Sequence, residues 1–374
     1  MKVVIALDSF KGSLTAMRAC SIVAETIESV LTETEAVLKP MADGGEGTAA
    51  ALMAARQGQW IEQKVTGPAP SMQVDAGFVW LPAERTAVVE MASASGLELL
   101  GEQQRNPLYT TTYGTGQLID AAIRHGAGRI LLGVGGSATV DGGVGAALAL
   151  GWRFLDEQGR DIPLGGGGLN RIGEIAPPSE PLEVFVDVLC DVDSPLCGPH
   201  GAARIYGPQK GATPEMVETL DAGLAHLATQ VREQLGTEIA KIPGAGAAGG
   251  LAAGAVAFLD ARLVSGVEVA MDEIRLREAV ADADWVVTGE GCFDQQSLRG
   301  KVVSGVVRVA REGGARVAVL AGRVLVSPPV LETLGIDIAL ACMNDSMSLR
   351  HALTHSEELL GAAASRLARD HLAP

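Results

Sequence analysis

No run of eighteen apolar residues occurs in this sequence, which excludes an ordinary membrane-spanning helix. Cysteine is sparse and unpatterned: Cys20, Cys190, Cys197, Cys292 and Cys342 are odd in number and scattered, without a C-x-x-C pair. Neither a disulfide framework nor a zinc site is signalled, so they read as reduced core residues. Positive charge is scarce as well. Against 45 Asp and Glu stand 29 Lys and Arg, a formal net charge of -16. That balance disfavours nucleic acid and anionic membranes as partners, because both demand a basic surface. An anionic ligand would need local cations. The six histidines form no ligand cluster, and His351 and His355, four apart, read as a solvated face of a terminal helix. The opening MKVVIALDSFKGS has one Lys and then Asp8 and Lys11 in its first strand and loop, so no cleavable signal peptide is expected and a cytoplasmic protein is read.

Familiar catalytic signatures are missing too. The Gly300-Lys301 pair has Gln295 where a Walker A loop needs Gly, and the H-R-D and D-F-G kinase set is absent. No G-x-S-x-G elbow supports a hydrolase. Two stretches imitate a dinucleotide fingerprint. GAGAAG (244–249) matches G-x-G-x-x-G behind a poor strand, and GVGGSA (133–138) matches its G-x-G-x-x-A variant but runs into Thr139-Val140-Asp141-Gly142-Gly143 instead of an apolar helix. A nicotinamide-dependent dehydrogenase therefore stands only as an alternative, and a phosphate cradle made by the same glycines suits them equally.

What is present alternates strand and helix. At 374 residues the chain exceeds the usual span of one core, so two domains are expected. The apolar run 2–7 fits a buried parallel strand; a helix with Cys20, Val23, Ile27 and Val30 on one side follows, capped by Ser13 or Thr15. A strand at 36–40 and a helix at about 48–57 come next. The segments 62–66, 74–81 and 86–91 have the rhythm of antiparallel hairpins. Helix 114–125, strand 129–134, helix 141–151, strand 183–189 and a Gly-rich passage at 243–254 follow. From Asp284 the alternation resumes, with strands at 285–288, 316–321 and 336–341 and a long final helix to about 370. A βαβα start that resumes after a different middle implies an insertion: a discontinuous doubly wound α/β domain of residues 1–61 plus 272–374, carrying an inserted α/β domain of residues 62–271.

Polar residues gather behind the strands. DSFKGS (8–13), ADGGEGT (42–48) and TGEGCFDQQSLRGK (288–301) should open on one sheet edge, where ligands of parallel sheets bind. Gly allows close backbone approach, while Asp, Glu and Lys suit metal, proton or oxyanion. The middle adds GGSATVDGG (135–143), CDVDSPL (190–196) and GPQKGA (207–212). Asp191 and Asp193, at i and i+2, could hold Mg²⁺ through water or accept a hydroxyl proton; they could equally end a strand as an Asx-turn. Spacing does not choose a base among Asp191, Asp193 and Asp43.

Taken in order with GAGAAGGL (244–251), these motifs closely resemble the bacterial glycerate kinase family, which phosphorylates D-glycerate with ATP. The resemblance runs from Met1 to about residue 345. It implies a flavodoxin-like parallel-sheet domain interrupted by a second α/β domain. Two departures stand out: Val140 and Ser194 occupy positions where the family commonly has Asn. Phosphoryl transfer is mostly positioning and charge neutralisation; the resemblance implies these positions, and the roles expected of them are as follows, with the base left open among Asp191, Asp193 and Asp43. Lys11 and Lys301 face anionic groups of glycerate or ATP. Asp191 and Asp193 serve as base and Mg²⁺ ligands, and the Gly44-Gly45 and Gly135-Gly136 backbones meet phosphates. Glu290 and Asp294 take a metal or substrate hydroxyls, with Gln296 and Ser297 as hydrogen-bond donors. Asp8, Ser9, Asp43, Glu46, Ser137, Thr139, Asp141 and Lys210 complete the substrate and nucleotide contacts. The implied product is 2-phosphoglycerate rather than 3-phosphoglycerate, from a monomer or homodimer. A glycerate 3-kinase is the nearest alternative, and a noncatalytic binding module the furthest.

Overall fold

A computed structural model describes residues 1–45, 47–295, 297–298, 301–344 and 346–372; Glu46 and Gln296, both named above, lie outside the described residues. The chain divides into two compact units, one of residues 1–43, 50–56 and 267–374, the other of 44–49 and 57–266.

The first unit is built on a five-stranded, all-parallel sheet. Along the chain its strands are Lys2–Leu7, Glu35–Leu38, Trp285–Gly289, Arg316–Ala321 and Ile338–Ala341. Numbered in that order they lie 2-1-3-4-5, the flavodoxin-like arrangement. The central three are apolar runs because helices cover both of their faces. Helix Ala16–Val30 begins at Thr15, whose hydroxyl accepts from the Arg18 amide at 3.2 Å, satisfying one of the free donors of the first turn. Ser13 is not the cap; its hydroxyl donates to the Phe10 carbonyl. The buried Cys20, Val23 and Ile27 join Val3, Ile5, Leu7 and Leu360 in one core. The long final helix is interrupted: His355 leaves helical geometry (φ -112°, ψ 25°) between Leu349–Thr354 and Ser356–Leu367.

The second unit has a six-stranded mixed sheet in the spatial order Arg262–Val264, Phe185–Leu189, Arg129–Gly133, Thr86–Glu90, Gln73–Leu81, Gln59–Thr66. The last three form the expected antiparallel meander, while the first four run parallel. Asp187 is buried in the parallel part and accepts from Arg129 and Arg262 of the two neighbouring strands at 2.9 and 2.7 Å. That pairing offsets the cost of burying its charge. Helix 141–151 shortens to Val144–Ala149 because Gly142 and Gly143 take φ of +62° and +75°, a region that ends helical geometry.

The Gly-rich passage becomes a kinked helix, Ala247–Leu259, in which Ala248, Gly249 and Gly250 are left-handed. A Cβ on Gly249 would lie 2.0 Å from the Thr139 carbonyl. These glycines let the helix pack against the 137–143 loop, so the fingerprint match reflects close packing and lacks the preceding strand that a dinucleotide site requires. Among the described residues no helix is long and apolar enough to cross a membrane.

Candidate active site

In the first unit, strands Lys2–Leu7 and Trp285–Gly289 pair in register, Leu7 opposite Gly289. The ladder continues one step further, the Asp8 amide donating to the Gly289 carbonyl at 2.9 Å. On the other side the Met41 amide donates to the Leu7 carbonyl at 2.9 Å. Asp8, Asp43 and Glu290 are thereby delivered to the carboxyl edge of one parallel sheet, where such sheets bind ligands. Gly289 is required for the close approach: a Cβ there would stand 1.7 Å from the Leu320 carbonyl.

The three carboxyls influence one another. Burial, then the charges of Asp43 and Glu290, push the Asp8 carboxyl up to about 7, against a 2.6 Å hydrogen bond from the Ser9 amide. Burial also raises Glu290, with Ser297 and Lys301 opposing and Asp294 and Asp43 adding to the rise. Its Oε1 is buried without a partner among the described residues. Ser297 is buried and ties the loop to itself, accepting from the Asp294 amide at 3.1 Å and donating to the Cys292 carbonyl. Asp294 receives the Ser297 amide in return. Lys11 is exposed, its backbone against Gly291, and Lys301, half-buried, opens helix Val302–Glu312.

In the second unit the strand ends carry a different chemistry. Gly44 has φ +82°, and a Cβ on it would lie 2.7 Å from Leu189 Cβ; one on Gly133 would lie 2.9 Å from the Gly44 carbonyl. The Gly44-Gly45 turn therefore rests on the ends of strands Arg129–Gly133 and Phe185–Leu189, and only glycine fits. Behind Arg129–Gly133, the loop 135–137 is anchored by the Leu97 amide on the Gly136 carbonyl (2.8 Å) and the Ala138 amide on the Ser95 carbonyl (2.9 Å).

Lys210 lies beneath this loop, 2 % exposed. Its Nζ donates to Ser137 Oγ at 2.5 Å and to the Thr139 carbonyl at 2.7 Å. Burial pushes the ammonium down to about 7, although the Asp141 charge pulls the other way. Asp141 is wholly enclosed, and burial raises its carboxyl. It accepts from the amides of Thr112 (2.8 Å), Gly143 and Gly145 and the hydroxyls of Thr111 and Thr112. All of these donors come from the chain itself, so the carboxylate braces the loop from within. Thr139 is likewise buried, its hydroxyl without a partner among the described residues. Val140 is buried in the core formed with Leu196, Leu224 and Leu227, an apolar setting that accounts for valine there.

Asp191 is half-buried; its Oδ1 accepts from the Ser265 hydroxyl at 2.7 Å and the Gly266 amide at 3.1 Å. Asp193 is exposed. Ser194 pairs with the Tyr206 hydroxyl at 3.0 Å. Sequence reasoning passed over Thr110-Thr111-Thr112, all buried, which hold Asp141 and the Ala138 carbonyl; three adjacent threonines before Tyr113-Gly114 were the available signal. It also passed over Arg105, whose Nε is buried without a partner among the described residues.

Among the described residues no three His, Cys, Asp or Glu converge enough to hold a metal by themselves.

Comparison with known proteins places this arrangement. The profile of the glycerate kinase family matches residues 3–372. A glycerate kinase of Halalkalibacterium halodurans is 45% identical over 98% of this chain and 97% of its own length. The glycerate 2-kinase of Escherichia coli K12 is 40% identical over 98% and 97%. The crystal structure of a protein described as glycerate kinase 2 from Salmonella typhimurium LT2 superposes with a TM-score of 0.86 at 39% identity, covering 98% of this chain and 97% of that one. With a match over nearly its whole length, the chain belongs to the glycerate kinase family and is a kinase.

Proposed function

We propose that the enzyme transfers the γ-phosphoryl group of ATP to the 2-hydroxyl of D-glycerate, giving 2-phosphoglycerate and ADP. The hydroxyl oxygen forms the new bond to phosphorus, the bond to the ADP oxygen breaks, and the hydroxyl proton passes to a carboxylate. The observation that carries the choice of position is the 40% identity, over nearly the full length, to a relative named glycerate 2-kinase.

In the first unit Lys11 and Lys301 neutralise anionic oxygens, because a chain this acidic must supply its cations locally. Asp8, Ser9, Asp43, Glu290 and Asp294 line the same edge and hold substrate hydroxyls. In the second unit the Gly44-Gly45 and Gly135-Gly136 backbones meet phosphate, with Ser137 beside them. Asp191 and Asp193 would hold Mg²⁺ or accept the proton: the Ser265 and Gly266 donors keep Asp191 oriented, and Asp193 is open to solvent. When bound, Mg²⁺ would screen the phosphate charge that develops in transfer.

The test is direct. Enzyme, ATP, Mg²⁺ and D-glycerate are incubated and the product is read by ³¹P NMR. A phosphomonoester on carbon 2 supports the proposal; one on carbon 3 would replace it with the 3-kinase, and ATP loss without a glycerate ester would overturn it.

A further inference from the structure

Lys210 meets Ser137 from the inside of the loop, and the chemistry of the two groups determines which way the serine points. An ammonium has three N–H bonds and no lone pair, so it donates and never accepts. Two of its donors are placed on Ser137 Oγ and the Thr139 carbonyl. While Lys210 is charged, Ser137 Oγ must accept from it, and the hydroxyl proton is turned away from the interior. A neutral amine could accept that proton and turn it inward. The charge on a buried lysine therefore sets the donor direction of a half-buried serine.

The outer side of the loop is built for an anion. The amides of Gly135, Gly136 and Ser137 donate to nothing among the described residues, since the loop is anchored through the Gly136 carbonyl and the Ala138 amide. Gly136 is exposed and has φ +67°, and successive free amides around a left-handed residue form an anion-binding concavity.

We infer that Lys210 is a positioning residue that fixes Ser137 as an outward donor, so that Ser137 and the 135–137 amides hold a substrate oxyanion, carboxylate or phosphate, only when Lys210 carries its proton. This deepens the proposed phosphate role of Gly135-Gly136 and rests on that reading. The charged group that acts on Lys210 is Asp141, which favours the ammonium. The free lysine, brought down to about 7 by burial, is mostly neutral at pH 8 and mostly charged at pH 6. Binding that requires the charged form must then take up a proton at pH 8 and none at pH 6. By linkage, affinity falls by up to about tenfold per pH unit above neutrality.

Calorimetric titrations of the full chain in buffers of different ionisation heat measure this uptake. D-glycerate and ADP are titrated separately at pH 6 and pH 8, into wild type, Ser137→Ala and Lys210→Met. The expected result is uptake approaching about one proton at pH 8 for one of the two ligands, absent at pH 6 and absent in Lys210→Met. The ligand that shows it tells carboxylate from phosphate. Titration of ADP's own phosphate is common to all three proteins, so the difference between them is the readout. Ser137→Ala changes a half-buried side chain and decides the matter even if Lys210→Met does not fold: its uptake should fall together with its affinity. No wild-type uptake at pH 8 with either ligand, or unchanged uptake in either variant, would overturn the inference. Phosphorylation of D-glycerate without proton uptake sinks this inference alone. Uptake without phosphorylation sinks the proposed reaction and leaves the loop's anion chemistry standing.

Discussion

Asp8 shows how burial and neighbouring charge can hold a carboxyl protonated at the expense of stability. The motif DSFKGS marks it as a strand-end carboxylate, but its protonation depends first on burial and then on the charges of Asp43 and Glu290, more than thirty residues away in sequence. Its folded value of about 7 lies above the ordinary 3.8, so between those two pH values the folded chain holds a proton that the unfolded chain has released. Stability therefore falls as pH rises through that window, and the loss is fully present above about 7. Asp8→Asn removes the titration. Relative to wild type the variant should gain urea resistance at pH 8, with a smaller difference at pH 5, while losing activity. An unchanged pH dependence of the unfolding midpoint would show that the carboxyl is not held up by its surroundings. Lys210 and Asp141 teach the converse lesson: GPQKGA and GGSATVDGG marked both residues, yet only packing puts one under the other's loop.

Among the elements, those with strong local signals were legible. Helix Pro214–Leu235, which the sequence reading left out, carries such signals too: Thr213 accepts from the Met216 amide, Pro214 stands in its first turn and Gly236 is left-handed at its end. Thr213→Ala should lower unfolding free energy by about 1 kcal/mol, read as a lower urea midpoint at unchanged slope; an unaltered midpoint would mean that packing alone sets the helix start. The strands with continuous apolar runs were equally plain. Elements whose limits depend on remote contacts were not. Helix 141–151 lost its first residues because Gly142 and Gly143 turn left-handed, in a turn where Asp141 gathers the Gly143 and Gly145 amides. The Gly-rich passage was given no element, and it forms a kinked helix that Thr139 and Gly142 approach closely enough to exclude a side chain.

For the whole molecule, the proposed reaction implies stereospecific ligand recognition. Holding a carboxylate and two hydroxyls at once distinguishes enantiomers, so D-glycerate at one hundred times its Kd should raise the unfolding free energy by about 2.7 kcal/mol. L-glycerate at the same concentration should raise it far less. Thermal unfolding with each enantiomer measures this, and equal shifts would contradict the assigned substrate.

The amino-acid sequence by itself determined the alternation of strands and helices, the parallel sheet of the first unit and the set of polar loops behind its strands. Those follow from short-range physics: apolar runs that demand burial on both faces, caps, and glycines at turns. The order of motifs along the chain was enough to show the family. Only the tertiary structure decided what each polar residue does. The Gly44-Gly45 turn seats against Leu189 and Gly133, far along the chain from it. Asp141 is spent on internal donors, and the Lys210 ammonium is stripped of water beneath Ser137. Desolvation and hydrogen-bond direction are set by which residues pack around a group, and for these groups the neighbours lie tens of residues away in the chain.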